Sequence, residues 1–269
     1  MNLSNEHQEE LEYARSLLES PSFARKLTEL LGTPIERGFE MLPKDWNELV
    51  QKATEKALRA ALEVSMQNLE RDPKKPPENL KHKLLSAASG AAGGAFGILS
   101  LPFELPITTI IMLRSIADIA RSQQADLSDP ETKLACLEVF ALGGETPGTS
   151  TSDANYYITR TASTRVLTNA TQYLATFGLA EEGSSILMRL VATLAARFGA
   201  AVSQKVAATA IPVIGAASGA IVNTLFMDHF QTVAQGHFTI RRLEKEYGSN
   251  LVQQEYQKIP FVSQGVPSA

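Results

Sequence analysis

One cysteine, one tryptophan and a 7% share of aromatic residues are all that this 269-residue chain offers, and each shortage closes off a class of protein. A lone thiol, Cys136, can form no intrachain disulfide. Its setting, Lys133-Leu134-Ala135-Cys136-Leu137, reads as a helical turn in which it serves as a small core hydrophobe. The N-terminal stretch MNLSNEHQEELEYARSLLES has neither the basic nor the apolar region of a secretory signal. Both features fit a reducing cytoplasm. Charge of one sign is missing too: the net charge is −4 with no tail of like charges. Nucleic acid is therefore not an expected partner, because duplex binding needs a concentrated basic face. Motifs that carry chemistry are also missing. The sequence has no HExxH, Walker A, GxSxG or CxxC, and its four histidines, His7, His82, His229 and His237, include no i,i+4 pair. No metal ion or cofactor is expected.

Sustained strand alternation is absent as well, and what is there is helical. Ser4 can cap a first helix to about Glu19, and Pro21 or Ser22 opens a second that stops at Gly32. Thr33-Pro34 supplies a capping hydroxyl and a proline for the first position of a third. Asp45 begins an amphipathic helix to about Arg71, with Trp46, Val50, Ala53, Ala57 and Ala61 on its apolar side. Ser128 or Asp129 starts a helix that Gly143-Gly144 closes; further helices lie near 155–177 and 181–210, and a last one ends at Gly248. The expected fold class is all-α, a multi-helix bundle with two Gly/Ala-rich apolar segments packed centrally. Residues 1–72 form N-terminal amphipathic helices, 80–248 the core, and 249–269 a weakly ordered tail, together one folded unit.

Those two segments, 84–103 and 206–227, are uncharged throughout. About twenty apolar residues span a bilayer, but the first run holds only seven large apolar side chains among five Ala, four Gly, three Ser and a Pro. Both runs carry small residues at helical spacing instead: Ser86, Gly90 and Gly94 in the first, Gly215 and Gly219 in the second, followed by Asn223. Such stripes let two helix backbones approach closely. The linker just before the first run, RDPKKPPENLKHK, has five Lys/Arg against two acids. Lys74, Lys75, Lys81 and Lys83 could meet anionic headgroups there, although a solvated linker has the same composition.

The stretch from Pro106 to Ala120 is apolar around nearly its whole circumference, the mark of a buried helix. Arg114, Asp118 and Arg121 share one of its faces, and Glu104 stands before its start. Charges so placed must be paired, with Glu138, Arg189, Arg197, Asp228 and His229 as candidate partners. A structural ion-pair network is one reading of Glu104, Arg114, Asp118, Arg121, Asp228 and His229. An acid–base or metal cluster built on Glu104, Asp118, Asp228 and His229 is the other.

The block SAASGAAGGAFGILSLPFELPITTIIMLRSIADIARSQQADLSDPETKLACLEVFALGG (86–144) resembles the signature region of the EcsC family. So do IPVIGAASGAIVNTLFMDHFQTVAQGHFTIRRLEKEYG (211–248) and the upstream LGTPIERGFEMLPKDW (31–46). The resemblance implies a bacterial protein, cytoplasmic or peripheral to the inner face of the cell membrane. Its founding relative is named for a gene neighbourhood with an ABC transporter. Membrane lipid, or a membrane protein such as a transporter component, is the implied partner, and no catalytic residues carry over. Two functions stay open: a non-enzymatic, lipid-interacting accessory protein, or a hydrolase or metal-dependent enzyme with a polar cluster between apolar helices.

Overall fold

The Ser4 side chain accepts a hydrogen bond from the His7 amide and opens α1 (Asn5–Leu18). Ser22 does the same for α2 (Phe23–Leu31), which ends at Gly32 in the left-handed region. In this computed structural model the described residues are 3–19, 22–68, 82–86, 100–144, 156–178, 184–211 and 217–260, and every regular element among them is a helix. The others are α3 (Glu36–Glu40), α4 (Trp46–Asn68), α5 (Leu101–Ser122), α6 (Pro130–Leu142), α7 (Tyr156–Phe177), α8 (Ser185–Ala210), α9 (Ala217–Tyr247) and α10 (Ser249–Lys258). Residues 82–86 add a short helical stretch. Of the stripe glycines only Gly219 is described, and it is buried; Gly90, Gly94 and Gly215 lie outside the described residues.

Asp129 caps α6 by accepting from the amides of Glu131 and Thr132, with Pro130 at the first helical position. Every residue from Thr132 to Ala141 is buried, a pattern possible only when a helix is surrounded. α4, α5, α7, α8 and α9 all pack against it. Phe140 meets Phe198 of α8 and Phe230 of α9 at ring-centroid distances of 4.9 and 5.6 Å. Around this centre α4 lies along α5 and α8, while α1 lies along α9. One apolar cluster runs from Phe23 to Phe238, and a smaller one joins α1, α7, α9 and α10.

Two expectations are revised. Pro34 does not start α3, which begins at Glu36 with Ile35 at its cap and no side-chain capping bond. Ile35 is only 5% exposed, so its burial sets the entry to the helix rather than the Thr33 hydroxyl. The tail is not weakly ordered from its start either: Ser249–Lys258 is helical. Val252 and Tyr256, four apart on one face, are buried, and Arg15 of α1 donates to the carbonyls of Tyr256 and Ile259 at 2.6 and 2.5 Å.

Candidate functional site

Of the charges expected inside the bundle, Glu104, Asp118 and Arg121 are buried there, and each is paired. Glu104, in the first turn of α5, accepts from Lys205 of α8 at 2.8 and 3.0 Å, from Asn223 of α9 at 2.9 Å and from Thr108 at 2.8 Å. Burial alone pushes a carboxyl up, but the Lys205 charge and these three donors outweigh it and hold Glu104 below the ordinary carboxylate range. Asp118, one side chain of the apolar helix, pairs with Arg121 at 3.3 Å and with the His82 ring at 2.9 Å. All three side chains are about 4% exposed.

Arg114 belongs to neither group. It is exposed, though it lies within one stripe with Arg121. The stripe Ile107, Ile111, Arg114, Asp118, Arg121 runs from solvent into the core along α5: Ile107 is 56% exposed and Arg121 6%. A helical face is thus covered for half its length, which periodicity cannot register. Asp228 does not complete the Asp118 network. It pairs with Lys83 at 2.5 Å. His229 is a core side chain: its Nε2–H donates to the Gly143 carbonyl at the end of α6 at 2.8 Å, and its ring lies 5.4 Å from Phe23 and 5.1 Å from Phe230. Burial pushes its pKa down to about 4. Of the other suggested partners, Glu138 bonds elsewhere, with Ser163, and Arg189 is exposed.

What gathers these pairs is the stretch 82–86. His82 binds Asp118, Lys83 binds Asp228, and Ser86 exchanges bonds with Asn223: Ser86 Oγ to the Asn223 carbonyl at 3.3 Å, Asn223 Nδ2 to the Ser86 carbonyl at 3.0 Å. Asn223 in turn reaches Glu104. Five residues at the root of the first uncharged run are therefore tied to α5 and α9 directly, and to α8 through Asn223, Glu104 and Lys205. Composition pointed to Lys83 as a headgroup ligand, but it is engaged with Asp228; Lys74, Lys75 and Lys81 lie outside the described residues. His82, Lys205 and Asn223 belong to these ties although the sequence places none of them in the polar cluster. The only signal for the last two is their place at the edge of, and inside, an otherwise uncharged run.

Around these ties large apolar side chains face outward. Leu84 and Leu85 beside Ser86 are 64% and 47% exposed, Phe103 beside Glu104 is 72%, Ile107 56%, and Ile221 two residues before Asn223 is 37%. Lys56 stands 5.5 Å over the Phe103 ring. Chemically the ties are closed: Glu104, Asp118, Asp228 and His229 meet four different sets of partners. Among the described residues no group of three or more His, Cys, Asp or Glu is placed to hold a metal ion. One described helix, α8, is long and apolar enough to cross a bilayer; it packs against α3, α4, α6 and α7 and carries the buried Lys205.

The EcsC protein family matches residues 5–243. No curated protein and no solved structure matches significantly.

Proposed function

The chain belongs to the EcsC protein family, and on that premise we propose that it is a membrane-peripheral accessory protein that holds lipid without transforming it. The observation that carries this reading is the exposed apolar group Leu84, Leu85, Phe103, Ile107 and Ile221 at the root of the two uncharged runs. Large apolar side chains left uncovered beside one linked set of polar ties point to a surface that something covers. The preceding basic linker adds attraction to anionic headgroups, about 1 kcal/mol for each lysine near the surface. On this reading the ion pairs are fastenings. They fix 82–86 to the bundle, so that force or binding on the segments beside it is felt by α5, α8 and α9. The site is the cytoplasmic face of the cell membrane, where lipid or a transporter component would be met.

The test is sedimentation of the purified protein with neutral and anionic vesicles across a range of salt. Binding to anionic vesicles that weakens as salt rises, and weakens further when Lys74, Lys75 and Lys81 become Gln, supports the proposal. Equal binding to both vesicle types removes the electrostatic part, and absence of binding to either overturns the reading. The enzyme alternative built on Glu104, Asp118, Asp228 and His229 gains nothing from an arrangement in which those four side chains meet four different sets of partners.

A further inference from the structure

A different part of the bundle holds polar groups that the fastenings do not use. Between α6 and α7 lies a cleft of about 360 Å³ with Leu134, Ala135 and Leu167 on its apolar wall. Arg160 of α7 and Arg241 of α9 line it, and both also line a second cleft of about 680 Å³. Glu138 sits at the floor, 3% exposed. Among the described residues it has no lysine or arginine within ion-pair distance, its nearest basic group being His237 Nε2 at 3.8 Å. Burial pushes this carboxyl up, against the opposing Ser163 hydrogen bond and the Arg160 and Arg241 charges, and it pushes His237 well down.

Ser163 Oγ lies 2.5 Å from Glu138 Oε1 and 2.9 Å from the Arg160 carbonyl. A hydroxyl has one proton, which Ser163 can give to the Glu138 carboxyl or to the Arg160 carbonyl. The two guanidiniums are differently committed. Arg160 donates to Glu244 at 2.8 Å, a pair with 19% and 7% exposure. Arg241 donates through Nη2 to Glu131 at 2.7 Å, and that carboxylate is 62% exposed. An exposed pair of this kind is worth little and exchanges readily.

Two guanidinium forks converging on one cleft suit a doubly charged oxyanion rather than a carboxylate, which a single fork satisfies. We propose that the cleft between α6 and α7 binds a phosphate monoester, with Arg160 and Arg241 on its oxygens, Glu138 at its floor and Glu131 as the group it displaces. This does not depend on the membrane reading.

Isothermal titration of the full chain with inorganic phosphate and with glycerol 3-phosphate, at ionic strength held constant with sodium chloride, tests it. Saturable one-site binding is expected. Arg241→Gln should weaken it roughly tenfold or more, and Glu131→Gln should tighten it, because the competing carboxylate is gone. Both changes lie on an exposed pair, so unliganded melting should hardly move. Competition by phosphatidate vesicles identifies a lipid headgroup as the source; binding without competition identifies a soluble monoester. No binding, or the same affinity in all three proteins, overturns the proposal. Sedimentation of Arg241→Gln with phosphatidylglycerol vesicles keeps the two proposals apart, since a phosphodiester surface held through 71–107 should bind the variant as it binds the parent.

Discussion

Lys205 Nζ stands 2.8 Å from one carboxylate oxygen of Glu104 and 3.0 Å from the other, although 101 residues separate them. The pair locks the end of α8 to the start of α5, where the two uncharged runs leave and enter the described bundle. At 4% and 11% exposure neither charge is adequately hydrated, so the carboxylate is kept ionised by its partners rather than by water. Asn223 extends the lock to α9 and through Ser86 to 82–86. Polar specificity here is bought at the cost of desolvating two ions, which is why the site reads as a fastening.

Removing one side of that pair should be far worse than removing both. Lys205→Met leaves Glu104 buried and uncompensated, and urea unfolding should show a loss of about 3–5 kcal/mol. Adding Glu104→Gln, which keeps the bonds from Asn223 and Thr108 possible, should recover most of it. Equal instability in the single and double variants would mean that the pair contributes no coupling.

His229 predicts a pH dependence. Its pKa falls from 6.5 unfolded to about 4 folded, so between those values the unfolded chain binds the proton and the folded one does not. Stability is then complete above pH 6.5 and falls as pH drops toward 4, by roughly 3 kcal/mol for this group. His229→Gln keeps a donor for the Gly143 carbonyl and removes the titration. Its stability curve should be flatter than the parent's across that window. Curves that stay parallel would contradict the assignment.

Helix order was legible because local signals agreed: Ser4, Ser22 and Asp129 cap where their side chains can, and Gly32 and Gly248 end helices with positive φ. The Asp118–Arg121 pair was legible too, being three apart on one helix. The rest of the site was not. Lys205, Asn223 and His82 are brought to their partners by tertiary packing, and their distance from them in sequence hides the contact. Arg114 looked equivalent to Arg121 because a helical wheel projects along the axis and discards depth. Glu138 gave no sign of its contacts with Ser163 of α7 and His237 of α9, which tertiary packing alone brings to it.

Close approach between helices can be tested at glycine. A Cβ on Gly38 would lie 2.1 Å from the Ala207 carbonyl oxygen, and one on Gly144 2.2 Å from that of Arg197. Both oxygens belong to the α8 backbone, which cannot swing aside. Gly38→Ala and Gly144→Ala should each cost about 1–3 kcal/mol by overpacking. Gly199, inside α8, has open space where its Cβ would be. Gly199→Ala should instead gain roughly 0.5–1 kcal/mol from helix propensity. Thermal melts of the three variants give the order directly, and a stabilised Gly38→Ala would contradict the packing at that crossing.

The exposed side chains beside the fastenings give the sharpest distinction between a lipid-facing surface and an incidental one. Phe103 and Ile107, four apart on α5, are 72% and 56% exposed and so contribute little to the core. Replacing both by Ser should leave stability within about 0.5 kcal/mol for each change, apart from the Lys56 contact over the Phe103 ring, worth about 0.5–1 kcal/mol. Burying such a side chain in an apolar phase is worth about 1.5–3 kcal/mol, so vesicle affinity should fall roughly tenfold or more for the pair. Ile158 of α7 is a matched control at 65% exposure, on a helix that contributes no residue to the ties around Glu104. Ile158→Ser should bind vesicles as the parent does. If it loses as much affinity as the Phe103/Ile107 variant, binding follows general surface hydrophobicity, and the end of the bundle that carries the two uncharged runs has no special part in it.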